Sequence, residues 1–100
     1  MTNGRIITIR LVNGDVIVTP PKVKAKRGET VEWVCDDGPF AIQFDGISPM
    51  RSIAFRGPAR SPQGSAVRED AQIGTYKYTV ALSVDGAIYI EDPQMVIEDA

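Results

Sequence analysis

Apolar residues in this chain recur at every second position in short runs, and no window of helical length holds a 3.6-residue pattern. Such a run can bury one face and leave the other in water only as a β-strand, so the pattern restricts the chain to sheet. The punctuation agrees. "RIITIRLV" and "DVIVTP" flank Asn13-Gly14, a pair suited to a type I′ hairpin, whose two central residues both need positive φ. Pro20-Pro21 ends that ladder, because proline donates no hydrogen bond. In "KVKAK" the lysines Lys22, Lys24 and Lys26 share one face and Val23 and Ala25 the other, as on a strand whose charge discourages edge pairing.

"TVEWVC" sets Val31, Trp33 and Cys35 in phase, and "FAIQF" does the same for Phe40, Ile42 and Phe44. From about 46 to 66 the chain is rich in Gly, Pro, Ser and Arg and reads as a long irregular loop, with room for a short strand or one helical turn near "RSIAFR". "GTYKYTVAL" turns Tyr76, Tyr78, Val80 and Leu82 to one side, Asp85-Gly86 makes a second tight hairpin into "AIYIED", and "QMVIE" follows Pro93 to close the sheet. Short strands at this spacing predict a single all-β domain over 1–100, an antiparallel Greek-key β-sandwich. Its expected core holds Trp33, Cys35, Phe44, Tyr76, Tyr78 and Val80. A tyrosine just after a glycine at the start of a late strand also fits a tyrosine corner, so Tyr76 or Tyr78 is expected to bond upstream backbone. That motif makes an immunoglobulin-like sandwich the alternative fold, and the pairing partner of residues 5–12 separates the two.

Composition limits function more than fold. No apolar run approaches the ~20 residues that span a bilayer. The opening "MTNGRIITIR" has neither an apolar signal region nor a small-residue cleavage site, and it reads as a cytoplasmic N-terminus. A single cysteine cannot form an intramolecular disulfide, which agrees with a reducing compartment. The net charge of -2 hides a segregation. Arg51, Arg56, Arg60 and Arg68 stand in a stretch without acids, whereas Glu69, Asp70, Asp85, Glu91, Asp92, Glu98 and Asp99 face only Lys77 in the last third. The acidic excess argues against nucleic acid as a partner.

The order of features resembles the cupredoxins, the plastocyanin and azurin type of β-sandwich. The residues that carry the resemblance are "VTPPKVKAKRGETVEWVC", "PFAIQFD" and "GTYKYTV", in that order from Val18 to Val80. The family's copper centre uses two histidines, a cysteine thiolate and a weak axial methionine. In this chain the position resembling the first histidine is Phe40, that resembling the cysteine is Val80, that resembling the second histidine is Ser83, and the methionine position falls near Ile88. The loop between the last ligands corresponds to the hairpin Val84-Asp85-Gly86. The resemblance therefore implies the scaffold of a copper protein without its donors, and no metal or other cofactor is expected. Copper-free relatives that act in recognition are what this resemblance implies for function.

Other chemistry finds little support. Cys35 with Met50 or Met95 would supply only soft sulfur, structural zinc needs four Cys or His ligands, and Asp36-Asp37 and Glu91-Asp92 lack the spacing of a calcium loop. Cys35 is the one strong nucleophile, yet it has no histidine as base and shares phase with the apolar Val31 and Trp33. No nucleophile elbow appears, and adjacent carboxylates on a strand point to opposite faces. An enzyme is not expected. The favoured reading is a non-catalytic protein-binding or assembly module, a monomer or a homodimer formed by sheet extension. Its expected contact surface is Arg51, Arg56, Arg60 and Arg68 with Phe40 and Phe55. The alternative is a sensor of a small anionic ligand at the end where the metal would lie; electron transfer is disfavoured.

Overall fold

The computed structural model describes residues 4–99; residues 1–3, the start of the segment read above as a cytoplasmic N-terminus, and residue 100 lie outside this range. Ten strands follow one another: β1 (Gly4–Val12), β2 (Asp15–Thr19), β3 (Lys22–Lys26), β4 (Thr30–Cys35), β5 (Phe40–Phe44), β6 (Ala54–Gly57), β7 (Gln63–Ala66), β8 (Gly74–Val84), β9 (Ala87–Glu91) and β10 (Gln94–Glu98). None of the described residues is helical, so no helix is present that could cross a membrane. One sheet has the order β2-β1-β4-β7; the other runs β3-β10-β8-β5-β6, with β9 on the second half of β8.

Local pattern explains the hairpins. Asn13 and Gly14 adopt φ of 51° and 83°, and Asp85 and Gly86 adopt 51° and 82°, so both two-residue turns use the left-handed region where Asn, Asp and Gly are least strained. At Pro20-Pro21 the chain leaves the first sheet and enters the second. Pro93 makes a similar break between β9, which pairs with Val80–Val84, and β10, which pairs with Gly74–Lys77. Both hairpins and the Pro20-Pro21 break stand where the sequence places them.

Two expectations need correction. The sandwich is not wholly antiparallel: β1 pairs β4 in parallel through Gly4↔Thr30 to Ile9↔Cys35, and β10 pairs β3 in parallel. A parallel neighbour cannot be reached by a tight turn, so these pairings form only after the chain has crossed between sheets. They also remove the immunoglobulin alternative, whose two sheets are antiparallel. The stretch 46–66 is likewise not one irregular loop, because it contributes β6 and β7. β7 is "QGSA", poor in β-branched and aromatic residues. It pairs with β4 because Gly64 has no side chain; a Cβ there would collide with the Val31 carbonyl oxygen.

The interior centres on Trp33. Its ring meets Phe44 at 6.1 Å and Tyr78 at 5.5 Å edge-on, and Phe55 stacks on it at 5.6 Å with 29° between planes. Trp33, Cys35, Phe44, Tyr78 and Val80 are all buried as expected, and Tyr76 packs half-buried against the cluster. Phe40, Phe55 and Met50 belong here too. Phe40 and Met50 are buried and Phe55 is covered by the indole, so neither Phe40 nor Phe55 offers the exposed contact surface expected of it. Their burial follows from phase: Phe40 aligns with Ile42 and Phe44, and Phe55 pairs opposite Ile42. The tyrosine corner falls to Tyr76, whose hydroxyl donates to the Gln72 carbonyl at 2.6 Å.

Candidate functional site

The second sheet turns one face inward and the other to solvent, and its ladders fix which residues share the outer face. Arg56, Ala41, Ala81 and Ile90 lie in one row across β6, β5, β8 and β9. Ala54, Gln43 and Thr79 form the next row, ending at Asp92, whose Oδ1 accepts from the Thr79 hydroxyl at 3.4 Å. On the other side stand Pro39, Ser83 and Ile88, with the Ser83 N–H donating to the Pro39 carbonyl at 3.0 Å. Small side chains thus pave the two central strands. Ile88 and Ile90 rise along β9, 64% and 63% exposed, and Arg56 stands on the opposite margin.

At the end of this face a groove of about 590 Å³ runs between Pro39, Phe40, Pro58, Leu82 and Ile88, with Arg56 at its rim. Arg56 forms no ion pair; among the described residues the recorded pairs are Arg5–Glu29 and Arg68–Asp70. A lone guanidinium beside apolar walls suits an acidic group carried on an apolar partner.

The arginines expected to act together are spread out. The Arg51 N–H donates to Ser65 Oγ, and Ser65 lies opposite Val31; the Arg60 N–H donates to the Cys35 carbonyl. Val31 and Cys35 are four residues apart on β4, about 13 Å of extended chain. Arg68 is committed to the fold, donating to the Ser48 carbonyl at 2.7 Å and pairing with Asp70 at 3.7 Å. Only Arg56 reaches the groove that Phe40 lines. Arg51, Arg60 and Arg68 do not join it, because their backbones follow the first sheet and the turn joining it to β6.

The positions resembling copper ligands do not converge. Phe40 and Val80 point into the core, whereas Ser83 and Ile88 oppose each other on the outer face, since neighbours along β8 alternate sides. The space between them is closed by backbone: a Cβ on Gly38 would strike the Ser83 carbonyl oxygen. Val84 connects to Ala87 through Asp85-Gly86 alone, with no slack for a ligand loop. The sequence holds no histidine, and the described residues include no cluster of three His, Cys, Asp or Glu. Cys35, Met50 and Met95 are each buried in the core. The residues present therefore do not fit a blue-copper centre.

Among the described residues the one strongly perturbed ionisable group lies in the core. Burial pushes the Tyr78 phenol up to about 12, an effect only partly offset by the Trp33 indole beside it. Neither the Tyr78 hydroxyl nor Trp33 Nε1 reaches a partner in full hydrogen-bonding geometry. The indole N–H is near enough to act on the hydroxyl electrostatically, but the contact falls short of a bond.

Sequence reasoning missed Ile88, Ile90 and Asp92 as surface residues. A signal was present: "AIYIE" alternates yet is apolar on both faces, with isoleucines on one and Tyr89 on the other. A strand of that kind needs cover on two sides, and here the second side has none among the described residues.

No family model matches this sequence, and no curated protein matches it. Solved structures do. A purple cupredoxin from Nitrosopumilus maritimus superimposes with a TM-score of 0.61 at 19% identity, covering 94% of this chain and 99% of that one. The reduced Cu(I) form at pH 4 of a mutant amicyanin gives 0.56 at 17% identity, covering 98% and 86%. An oxidized amicyanin mutant gives 0.55 at 17% identity, covering 92% and 81%. The fold is cupredoxin-like.

Proposed function

We propose that this cupredoxin-like chain is a non-catalytic, copper-free binding module that presents the outer face of β5, β6, β8 and β9 to a protein partner. The observation that carries the reading is the pair Ile88 and Ile90, each almost two-thirds exposed and adjacent on one face. Beside them lie the alanine floor and an unpaired arginine. Isolated exposed apolar residues are ordinary, but contiguous ones rimmed by charge mark interaction surfaces. The absence of imidazole removes the usual general base and the two histidine donors of the family's copper centre. A lone buried thiol suits the reducing cytoplasm, which is the setting this reading assigns.

The test compares affinity capture from native lysate by the wild type and by the Ile88→Asp/Ile90→Asp variant. Loss of a stoichiometric partner in the variant supports the reading; equal capture by both refutes it. Copper is tested separately on the purified protein by visible absorption and metal analysis after copper addition, and tightly bound, stoichiometric, coloured copper would overturn the copper-free assignment.

A second reading has its own support in the groove rimmed by Arg56, which fits a small anionic ligand with an apolar body. Such a ligand at 100 times its dissociation constant would add about 2.7 kcal/mol of stability. A thermal-shift panel of carboxylates and phosphates without any response would remove it.

A further inference from the structure

The outer face of the second sheet is complementary to itself, and we infer that its partner is a second copy of this chain, docked about a two-fold axis parallel to the strands. The inference rests on the binding-module reading and names the partner. Such a rotation keeps each residue in its row and exchanges the two margins of the face, so β9 of one copy meets β6 of the other. The Ile88–Ile90 ridge then lies against β6 of the second copy, with Ile90 over Arg56, and Ala41 of each copy faces Ala81 of the other. An axis between β5 and β8 makes each of these contacts twice.

Charge follows the same symmetry. Arg56 shares its row with Ile90, and Asp92 stands one row away, about 7 Å along the strand. The aliphatic stem of Arg56 covers the second copy's Ile90, as long cationic side chains commonly cover apolar surface. Its guanidinium then reaches the second copy's Asp92, and the axis makes the contact twice. Asp92 already accepts from Thr79, which holds the carboxylate on this face. The complementarity of one cation and one acid at matching places favours a second copy over a uniformly charged partner.

Docking through a sheet edge is less suited. The lysines of β3 guard one edge, and β2 runs alongside the free margin of β9. The face spans four strands at about 4.8 Å spacing and three rows at about 7 Å, a footprint on the order of 20 × 20 Å with side chains. That is smaller than the roughly 800 Å² per partner of a standard interface, so association is weak and concentration-dependent.

Sedimentation velocity of the full chain from about 10 µM to about 1 mM tests this, a range that brackets weak self-association. The wild type should shift from monomer to dimer as concentration rises. Ile90→Asp should remain monomeric throughout. Arg56→Asp and Asp92→Arg should each weaken association about tenfold or more through like-charge contact, and the double variant Arg56→Asp/Asp92→Arg should recover it. Circular dichroism confirms that each variant is folded. A wild type that stays monomeric at the highest concentration, a dimer that survives Ile90→Asp, or a double variant without recovery overturns the inference. If the wild type is monomeric while the two-isoleucine variant loses a different captured protein, the second copy is wrong and the binding module stands. If neither association nor capture depends on this face, both fall.

Discussion

Of two tyrosine-to-phenylalanine substitutions two residues apart on β8, one should destabilise the fold and the other should not. The Tyr76 hydroxyl donates to the Gln72 carbonyl at 2.6 Å, and removing a hydrogen bond of this kind costs about 0.5–1.5 kcal/mol. The Tyr78 hydroxyl is fully buried and lacks a partner in bonding geometry. Keeping an unpaired hydroxyl out of water costs about 1–3 kcal/mol on protein scales, and Tyr78→Phe removes that cost. The void left by one oxygen takes back well under about 1 kcal/mol at ~24 cal/mol per Å³. Tyr78→Phe should thus be neutral or stabilising by up to about 2 kcal/mol, while Tyr76→Phe destabilises by about 1 kcal/mol. Urea midpoints measure both, with unchanged m-values confirming that only stability moved.

Alkaline pH gives an independent check on the same residue. The folded state holds the Tyr78 proton up to about 12 against 10.0 for a solvent-exposed tyrosine, so between these values the native state binds more protons than the unfolded state. Stability therefore falls as pH rises through that window, by roughly 2–3 kcal/mol in total, and Tyr78→Phe lacks this component. A Tyr78→Phe protein that is less stable by more than about 1 kcal/mol, or that loses stability between pH 10 and 12 as steeply as the wild type, would refute the reasoning. Either result would mean that the indole N–H and the hydroxyl form a true bond.

Two further predictions follow from close packing. Cys35 is wholly buried, so a thiol reagent should label it only at the rate of opening, and rapid labelling of native protein would contradict its core position. Gly38→Ala would drive a Cβ into the Ser83 carbonyl; the expected loss is about 1–3 kcal/mol, or roughly 4–8 °C in Tm per kcal/mol, whereas an unchanged Tm would show that the β5–β8 end can open.

Much of the second sheet was legible because its signals are local. The phase of Tyr78, Val80 and Leu82 follows from alternation alone, and Asp85-Gly86 announces its turn by the positive φ it must adopt. Tyr76 or Tyr78 was a sound pair of candidates for the corner, but the choice depends on where Gln72 places its carbonyl. β7 gave no propensity signal, since its pairing depends on an absent Cβ at Gly64 meeting β4. The arginines looked like one group because they are close in sequence. The strands that carry them separate Arg51 from Arg60, and Arg68 is drawn into holding Ser48.

By itself the amino-acid order determined which side chains face inward along the strands that alternate clearly, where the two tight hairpins turn, and that no imidazole is available to a metal. These are consequences of backbone periodicity and side-chain chemistry, which act within a few residues. Tertiary structure alone decided that β1 runs beside β4, that Phe55 covers Trp33 instead of solvent, and that the isoleucines of β9 find no cover. A strand's face is set by its own alternation, but its neighbours are set by the closure of distant segments, and only that closure shows which apolar surface remains unpartnered.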